Sequence, residues 1–401
     1  NVGFLIWFFR KQTTNSNMKN EEDSGFWGPE GHYVEWVGGS GYYKHKFTKK
    51  ELSELSPVPS RLVATTYPNK KVVVAAALRK EVCWHVNHSP APQGKLTYDE
   101  TQMEHATCIA LSGSDIVEPQ LLIGFTSGEI VLHNTMIEKT DWFNFDCEVC
   151  DSPVTAISWI TSTSFVAGHL NGDMYEHNTT FSTTVRLKKD GKAFGDVLIT
   201  KCKKPNTNPT KKWSLGKPVA AVMALARSPV EADTIACGDK SGKLTIINVV
   251  TDAVLTRVQL QAFGTMHALT WSPDGKYIAC GGQDDLMTIY SVGSHTTIVV
   301  GIGHSSWLMA IQFDTFATSC ARGCYRLISV GQDGNLFLWE LNPANLPKQE
   351  VVLKNKSMKS KAKPMLTPPT LLENEGLTIV GQATLHDDPI TDVISLSNCI
   401  A

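Results

Sequence analysis

Short runs in which apolar residues alternate with polar ones recur along this chain from Arg61 to its end, each stopped by glycine, Asp-Gly or Pro-Asp-Gly. A period of two predicts β-strands, and the punctuation predicts tight turns between them. The pattern is clearest from Phe263 to Leu341, where it is written twice. The first copy is Leu269-Thr-Trp-Ser-Pro-Asp-Gly-Lys-Tyr-Ile-Ala-Cys-Gly-Gly-Gln-Asp-Asp285. The second runs from Gly303-His304 through Trp307 to Leu327-Ile-Ser-Val-Gly-Gln-Asp-Gly-Asn-Leu-Phe-Leu-Trp339. Each reads as strand, turn, strand, turn and a third strand ending on an aromatic.

Aligning the glycine turns extends the repeat. Gly124-Phe-Thr-Ser-Gly128, Gly168-His-Leu-Asn-Gly172 and Gly238-Asp-Lys-Ser-Gly242 each precede a strand, and Asp285 and Gly334 end the equivalent turns further on. The steps between the turn residues are 44, 70, 43 and 49. A repeat of roughly 40–45 residues with four short strands is the period of a propeller blade, and the long step is one repeat plus an insert. A weaker copy lies between Arg61 and Val86, and another begins at Asp388, so the expected fold is an all-β, seven-bladed β-propeller spanning residues 42–401. The last copy stops before its glycine turn. Either the C-terminus is truncated or N-terminal strands such as Tyr42–Thr48 complete that blade. Residues 1–41 lack periodicity and read as a disordered lead-in. Those before Met18 read as an extension outside the native fold.

Two inserts interrupt the period. Residues 186–213 carry eight lysines against two aspartates, which reads either as a basic docking loop or nuclear signal, or as a solvated loop. Residues 342–370 are rich in Lys, Pro and Ser and read as a flexible linker between blades six and seven.

Blade six also carries a polar quartet: His304 before the inner strand, Ser329 on the second, Asp333 in the turn and Trp339 on the third. A buried aspartate is tolerated when donors reach it, and imidazole, turn amides, hydroxyl and indole supply them in series. The quartet is therefore a structural network. Glu340 follows Trp339. In other blades His133, His177, Asn248 and Tyr290 take the place of the tryptophan. The histidines have no Cys or carboxylate partner at ligand spacing, so no metal site is expected.

Composition narrows the class further. At 42% hydrophobic and 19% charged, the chain can bury a large core. A net charge of −2 gives no basic field, so neither nucleic acid nor an anionic membrane is an expected partner. Ten cysteines are too sparse for a disulfide scaffold. Cys237 and Cys280 hold equivalent strand places, and Cys147-Glu-Val-Cys150 is a lone CxxC. The apolar run Val2–Phe9 is too short to span a bilayer and lacks a basic segment before it. A cytoplasmic or nuclear protein is expected. No nucleophile elbow, HExxH, P-loop or kinase motif occurs. The chain therefore reads as a non-enzyme with no cofactor and no small-molecule substrate.

The run from Leu121 to Leu341 resembles the CreC family of WD-repeat proteins, which includes the dystrophia-myotonica WD-repeat protein. The matching pieces include Leu122-Ile-Gly-Phe-Thr-Ser-Gly-Glu, Val166-Ala-Gly-His-Leu-Asn-Gly-Asp-Met-Tyr, Asn208-Pro-Thr-Lys-Lys-Trp213 and Gly303-His-Ser-Ser-Trp307. Two departures stand out: the linker after blade six is short, and Arg227-Ser-Pro-Val-Glu-Ala replaces the Pro-Asp-Gly turn of blade four. The resemblance implies a WD-repeat cofactor of a ubiquitin-specific protease, acting with a second WD-repeat activator.

Propellers bind through the loops that feed each inner strand. Phe263 leads the loop of blade five, and Trp307 stands at the end of that of blade six. Two large aromatics on neighbouring blades make a partner-binding patch; the alternative is that each ring folds back over its own blade. In relatives, aromatics at the matching positions dock the protease, and the resemblance implies the same for Phe263 and Trp307. The implied mechanism is allosteric, the propeller favouring the active arrangement of its partner. Two other readings stay open: a general scaffold in a transcription or ubiquitin-ligase complex, and a propeller enzyme using its central channel. The inner strands Ala156–Trp159, Ala268–Trp271 and Ala310–Phe313 offer that enzyme no convergent carboxylates or histidines.

Overall fold

A computed structural model describes residues 62–67, 72–77, 81–86, 93–97, 105–113, 119–145, 148–187, 192–194, 196–215, 220–315, 318–346, 376–385 and 390–396, with 3–8, 33–38 and 41–46 as backbone strands. The fold is an all-β propeller. Among the described residues six blades are each built from a single stretch of the chain, one fewer than the seven that the repeat predicts. Their inner strands are Leu62–Thr66, Ala106–Leu111, Val154–Trp159, Val222–Arg227, Met266–Trp271 and Leu308–Phe313. Each is followed outward by antiparallel neighbours. Among the described residues the copy beginning near Asp388 contributes one strand, Ile390–Leu396. That strand pairs with Gly3–Phe8, which pairs with Tyr33–Gly38, which pairs with Gly41–Lys46. Two strands thus fall inside residues 1–41, where the pattern predicts none, and one of them precedes Met18.

The turn alignment has one backbone cause. Gly128, Gly172, Gly242, Asp285 and Gly334 have φ of 100°, 80°, 77°, 62° and 70°, the left-handed region that glycine adopts without strain and aspartate tolerates. Each inner strand of blades two to six also carries a β-bulge at its second residue: Thr107, Thr155, Met223, His267 and Met309. The bulge aims these side chains away from the ladder. Two of them link blades through hydroxyls. Thr107 Oγ1 lies within hydrogen-bond distance of Gly124 O in its own blade and Val154 O in the next, and Thr155 repeats this with Gly168 O and Val222 O.

Seams between blades follow a rule of shape. A Cβ added to Gly124 would meet Val154, one on Gly168 would meet Val222, one on Gly238 would meet Met266, and one on Gly281 would meet Leu308, each at under 3 Å. The first apolar residue of one inner strand therefore occupies a hole left by a glycine in the preceding blade. At close-packed density such a hole admits no extra methyl group without displacement. After blade six the equivalent place is filled by Val330, which packs against Ile390 and Val393.

Both inserts differ from expectation. Residues 186–213 include the fourth strand of blade three and two more beyond it, in the order Asp173–Asn178, Lys211–Leu215, Val197–Lys201, Lys192–Phe194. Trp213 fills the core between blades three and four, 1% exposed. Asn208, buried at its base, accepts from Asn178 N (2.8 Å) and donates to Asn178 O (3.0 Å) and Phe181 O (2.8 Å). Lys211 pairs with Asp252 (3.1 Å) of blade four and Lys212 with Asp173 (2.6 Å). These two lysines brace carboxylates of blades three and four, so neither belongs to a solvated loop; Lys188 and Lys189 lie outside the described residues. The second insert follows Leu341 and precedes Leu377, strands that pair with each other. It interrupts blade six and does not link two blades; most of it lies outside the described residues.

Candidate functional site

The loops feeding the inner strands and the turns that carry the left-handed residues share one face, because strands alternate in direction within each blade. In blade six this face is built on the quartet. His304 Nδ1 lies 3.0 Å from both Asp333 oxygens, and its Nε2 lies 2.8 Å from Ser329 Oγ. Trp339 Nε1 donates to the same hydroxyl at 2.8 Å. The pairing assigns the proton to Nδ1, which donates to the carboxylate, so Ser329 accepts from the indole and donates to Nε2. Asp333 also accepts from Ser305 N (3.0 Å) and Asn335 N (3.1 Å). Burial pulls the imidazole below its ordinary pKa, and the adjacent carboxylate offsets only part of that. Burial raises Asp333, but the amides and the histidine outweigh it and hold the carboxyl below its usual range. The network ties the loop at 304–305 to the turn at 333.

Trp307 stands two residues beyond this anchor. It is 41% exposed, and its ring leans on His267, the bulge residue of blade five, with centroids 5.9 Å apart. Ile302, on the same loop, is 53% exposed. Phe263, on the loop of blade five, is the most open aromatic among the described residues at 63%. Its loop is held by Ala262 N donating to Asp284 (3.1 Å) and Thr265 N donating to Gln283 (3.0 Å). Sequence reasoning missed Ile302 and His267. The bulge that presents His267 is a matter of register between strands and has no signature in a single strand. It also missed a second exposed pair on blade two and the loop after it, Trp142 and Phe145, edge to face at 5.7 Å.

The positions equivalent to the quartet are variable. His133, His177 and Tyr290 stand where Trp339 does, but in blade four the place belongs to Ile247, paired with Ile235 as Trp339 is with Leu327. Asn248 is one residue further on, beside Asn134 and Asn178 in register, and its Oδ1 accepts from the amides of Val250 and Thr251. The three asparagines cap turns and fill no core. His177 stacks on Phe165 at 5.2 Å, and burial drives its pKa down to about 3. His133 lies 3.1 Å from Thr140 Oγ1. Cys150 holds the place of His304 in blade three and accepts from Asn171 Nδ2 at 3.4 Å; Cys147 lies outside the described residues. Among the described residues no group of three or more His, Cys, Asp or Glu is placed to hold a metal.

A cavity of about 160 Å³ among the inner strands is lined mostly by aliphatic side chains such as Ile109, Ile157, Leu225, Leu269 and Ile311. Asp392 reaches it and accepts from Leu62 N at 3.0 Å. Among the described residues that line this cavity, Asp392 is the one carboxylate and His267 the one histidine.

No family model matches the chain. Over 216 residues it is 29% identical to the WD repeat-containing protein 20 homolog of Caenorhabditis elegans, an alignment that covers 49% of this chain and 28% of that protein. The matched region is thus little more than a quarter of the relative's length. A chain in the crystal structure of the mitotic checkpoint complex superimposes with a TM-score of 0.57 over 84% of this chain and 89% of its own, at 14% identity, a likeness of fold alone. Together with the blade-long repeat and its left-handed turns, the likeness of fold identifies the chain as a β-propeller, one that is similar in sequence to a WD repeat-containing protein.

Proposed function

We propose that this chain is a non-catalytic scaffold that binds a ubiquitin-specific protease and activates it allosterically, acting beside a second WD-repeat activator in the cytoplasm or nucleus. The observation that carries the reading is the pair Phe263 and Trp307, exposed on successive loops of one face with a buried hydrogen-bond network anchoring one of them. The resemblance to the CreC family and the likeness to a WD repeat-containing relative support it. In the same reading the sheet of Ile390–Leu396 and the N-terminal strands is the seventh blade. Aromatic anchors of this size dominate interfaces when they are desolvated on binding. Activation then equals the difference between the scaffold's affinities for the active and inactive protease.

The test mixes purified chain with candidate ubiquitin-specific proteases and follows cleavage of a fluorogenic ubiquitin. Cleavage rises with the partner present, and the chain alone cleaves nothing. Trp307→Ala loses roughly 2 kcal/mol of affinity and Phe263→Ala a comparable amount, with unchanged thermal unfolding. Undiminished pull-down by both variants overturns the patch. Recovery of cullin adaptors or chromatin factors in place of a protease favours the general scaffold instead.

A further inference from the structure

One departure of the repeat has no role in the feeding-loop face. Blade five turns from its inner strand through Pro273-Asp274-Gly275, where Ser272 Oγ donates to Asp274 (2.8 Å) and accepts from Tyr277 N (2.9 Å). Blade four uses the longer Ser228-Pro-Val-Glu-Ala-Asp233, which closes just as well: Ser228 N donates to Thr234 O (2.8 Å) and Ser228 Oγ accepts from Glu231 N (3.1 Å). The longer turn holds Val230 out at 63% exposure. Turn closure does not require an exposed valine, since polar residues make the same turn.

Val230 forms one wall of a groove of about 440 Å³ between blades four and five. Leu255, 47% exposed, lines it as well, and Trp271 and Val292 complete an apolar lining. Two carboxylates, Glu231 and Asp274, also line it, and no lysine or arginine does. Thr234 Oγ1 holds Glu231 at 3.0 Å, and Tyr325 OH holds Asp274 at 2.7 Å, so both acids are fixed in position. Lys276 pairs with Asp274 at 3.1 Å, but its side chain is 64% exposed, and an ion pair so open contributes little and is displaced at little cost. Thr256 Oγ1 and His295 Nδ1, 3.1 Å apart, link strand and turn beside the groove. The turns that line it belong to the opposite face from Phe263 and Trp307.

We infer that the groove between blades four and five is a second docking site, which takes a linear peptide segment of a partner protein bearing a large apolar side chain flanked by lysine or arginine. The volume suits one or two side chains, an apolar lining with few polar groups is the usual composition of a ligand cleft, and two fixed carboxylates select a cation and reject an acidic segment. The proposal is independent of the protease reading, because it uses other residues on another face.

The experiment titrates two blocked, fluorescein-labelled hexapeptides, Lys-Lys-Leu-Trp-Lys-Lys and Glu-Glu-Leu-Trp-Glu-Glu, against the full chain by fluorescence polarisation. The basic peptide binds at least about tenfold more tightly than the acidic one. Val230→Ser with Leu255→Ser lowers its affinity about tenfold, and Glu231→Gln weakens it severalfold, with the weakening reduced at high salt. Trp307→Ala leaves this binding unchanged while impairing protease binding, which separates the two sites. Equal binding of both peptides, or basic-peptide binding that survives the double serine variant, overturns the proposal.

Discussion

Blades five and six share a turn, a bulge and a packing plan, yet treat the polar atoms beneath the binding face in opposite ways. In blade six His304, Ser329, Asp333 and Trp339 form one continuous chain of hydrogen bonds. In blade five Gln261, Cys280 and Tyr290 hold the places of His304, Ser329 and Trp339. The Gln261 amide and the Tyr290 hydroxyl are buried with no protein partner among the described residues. Asp284 keeps only the backbone half of the arrangement, accepting from Ala262 N and Leu286 N. Both blades have the same backbone shape. The fold therefore depends on left-handed turns and glycine holes, and the quartet is a local reinforcement that fixes the loop carrying Trp307 more firmly than the loop carrying Phe263.

The largest expected effect breaks blade six. Asp333→Ala strands the buried imidazole and the amides of Ser305 and Asn335 without their acceptor and costs about 3 kcal/mol in chemical denaturation; a cost below about 1 kcal/mol removes the distinction between the blades. The next contrast brings in blade three, where His177 occupies the tryptophan's place. Its folded pKa is about 3, pulled down chiefly by burial and further by His169, against roughly 6.5 in the unfolded chain. The unfolded state thus binds the proton first. Stability is full above pH 6.5 and falls as pH drops toward 3, by roughly 2 kcal/mol at pH 5. His177→Phe flattens that slope, and an unchanged slope in the variant assigns the pH dependence elsewhere. The smallest effect belongs to blade five. Tyr290→Phe deletes a hydroxyl with no partner among the described residues and changes stability by less than about 1 kcal/mol, in the stabilising direction. A clear loss means that the hydroxyl is satisfied after all.

How much of this was legible depends on whether a residue type is forced by local chemistry. Gly128, Gly172, Gly242 and Gly334 could be aligned because a left-handed turn selects glycine, and Asp285 because aspartate tolerates the same region. Glu138, Asp252 and His295, with φ of 53°, 59° and 55°, lie in turns of the same hand but carry no such mark. Asn248 was assigned to the tryptophan's place although Ile247 holds it, because a buried isoleucine in one strand resembles every other. Neither reading of the lysine insert, docking loop or solvated loop, includes the bracing role of Lys211 and Lys212, because the carboxylates that meet them are supplied by a neighbouring strand and by another blade. Phe263 and Trp307 were visible as aromatics at loop ends. The lean of Trp307 onto His267 depends on the angle between two blades, which no single repeat encodes.

The glycine holes also amount to a counting device. From blade two to blade five, each blade ends its second strand with a socket that only a following inner strand can fill, so each asks for a successor of the same kind. Val330 closes that socket in blade six. The strand that follows, Ile390–Leu396, therefore packs its Ile390 and Val393 against a side chain and not into a hole. One side chain thus marks where the series of like blades stops.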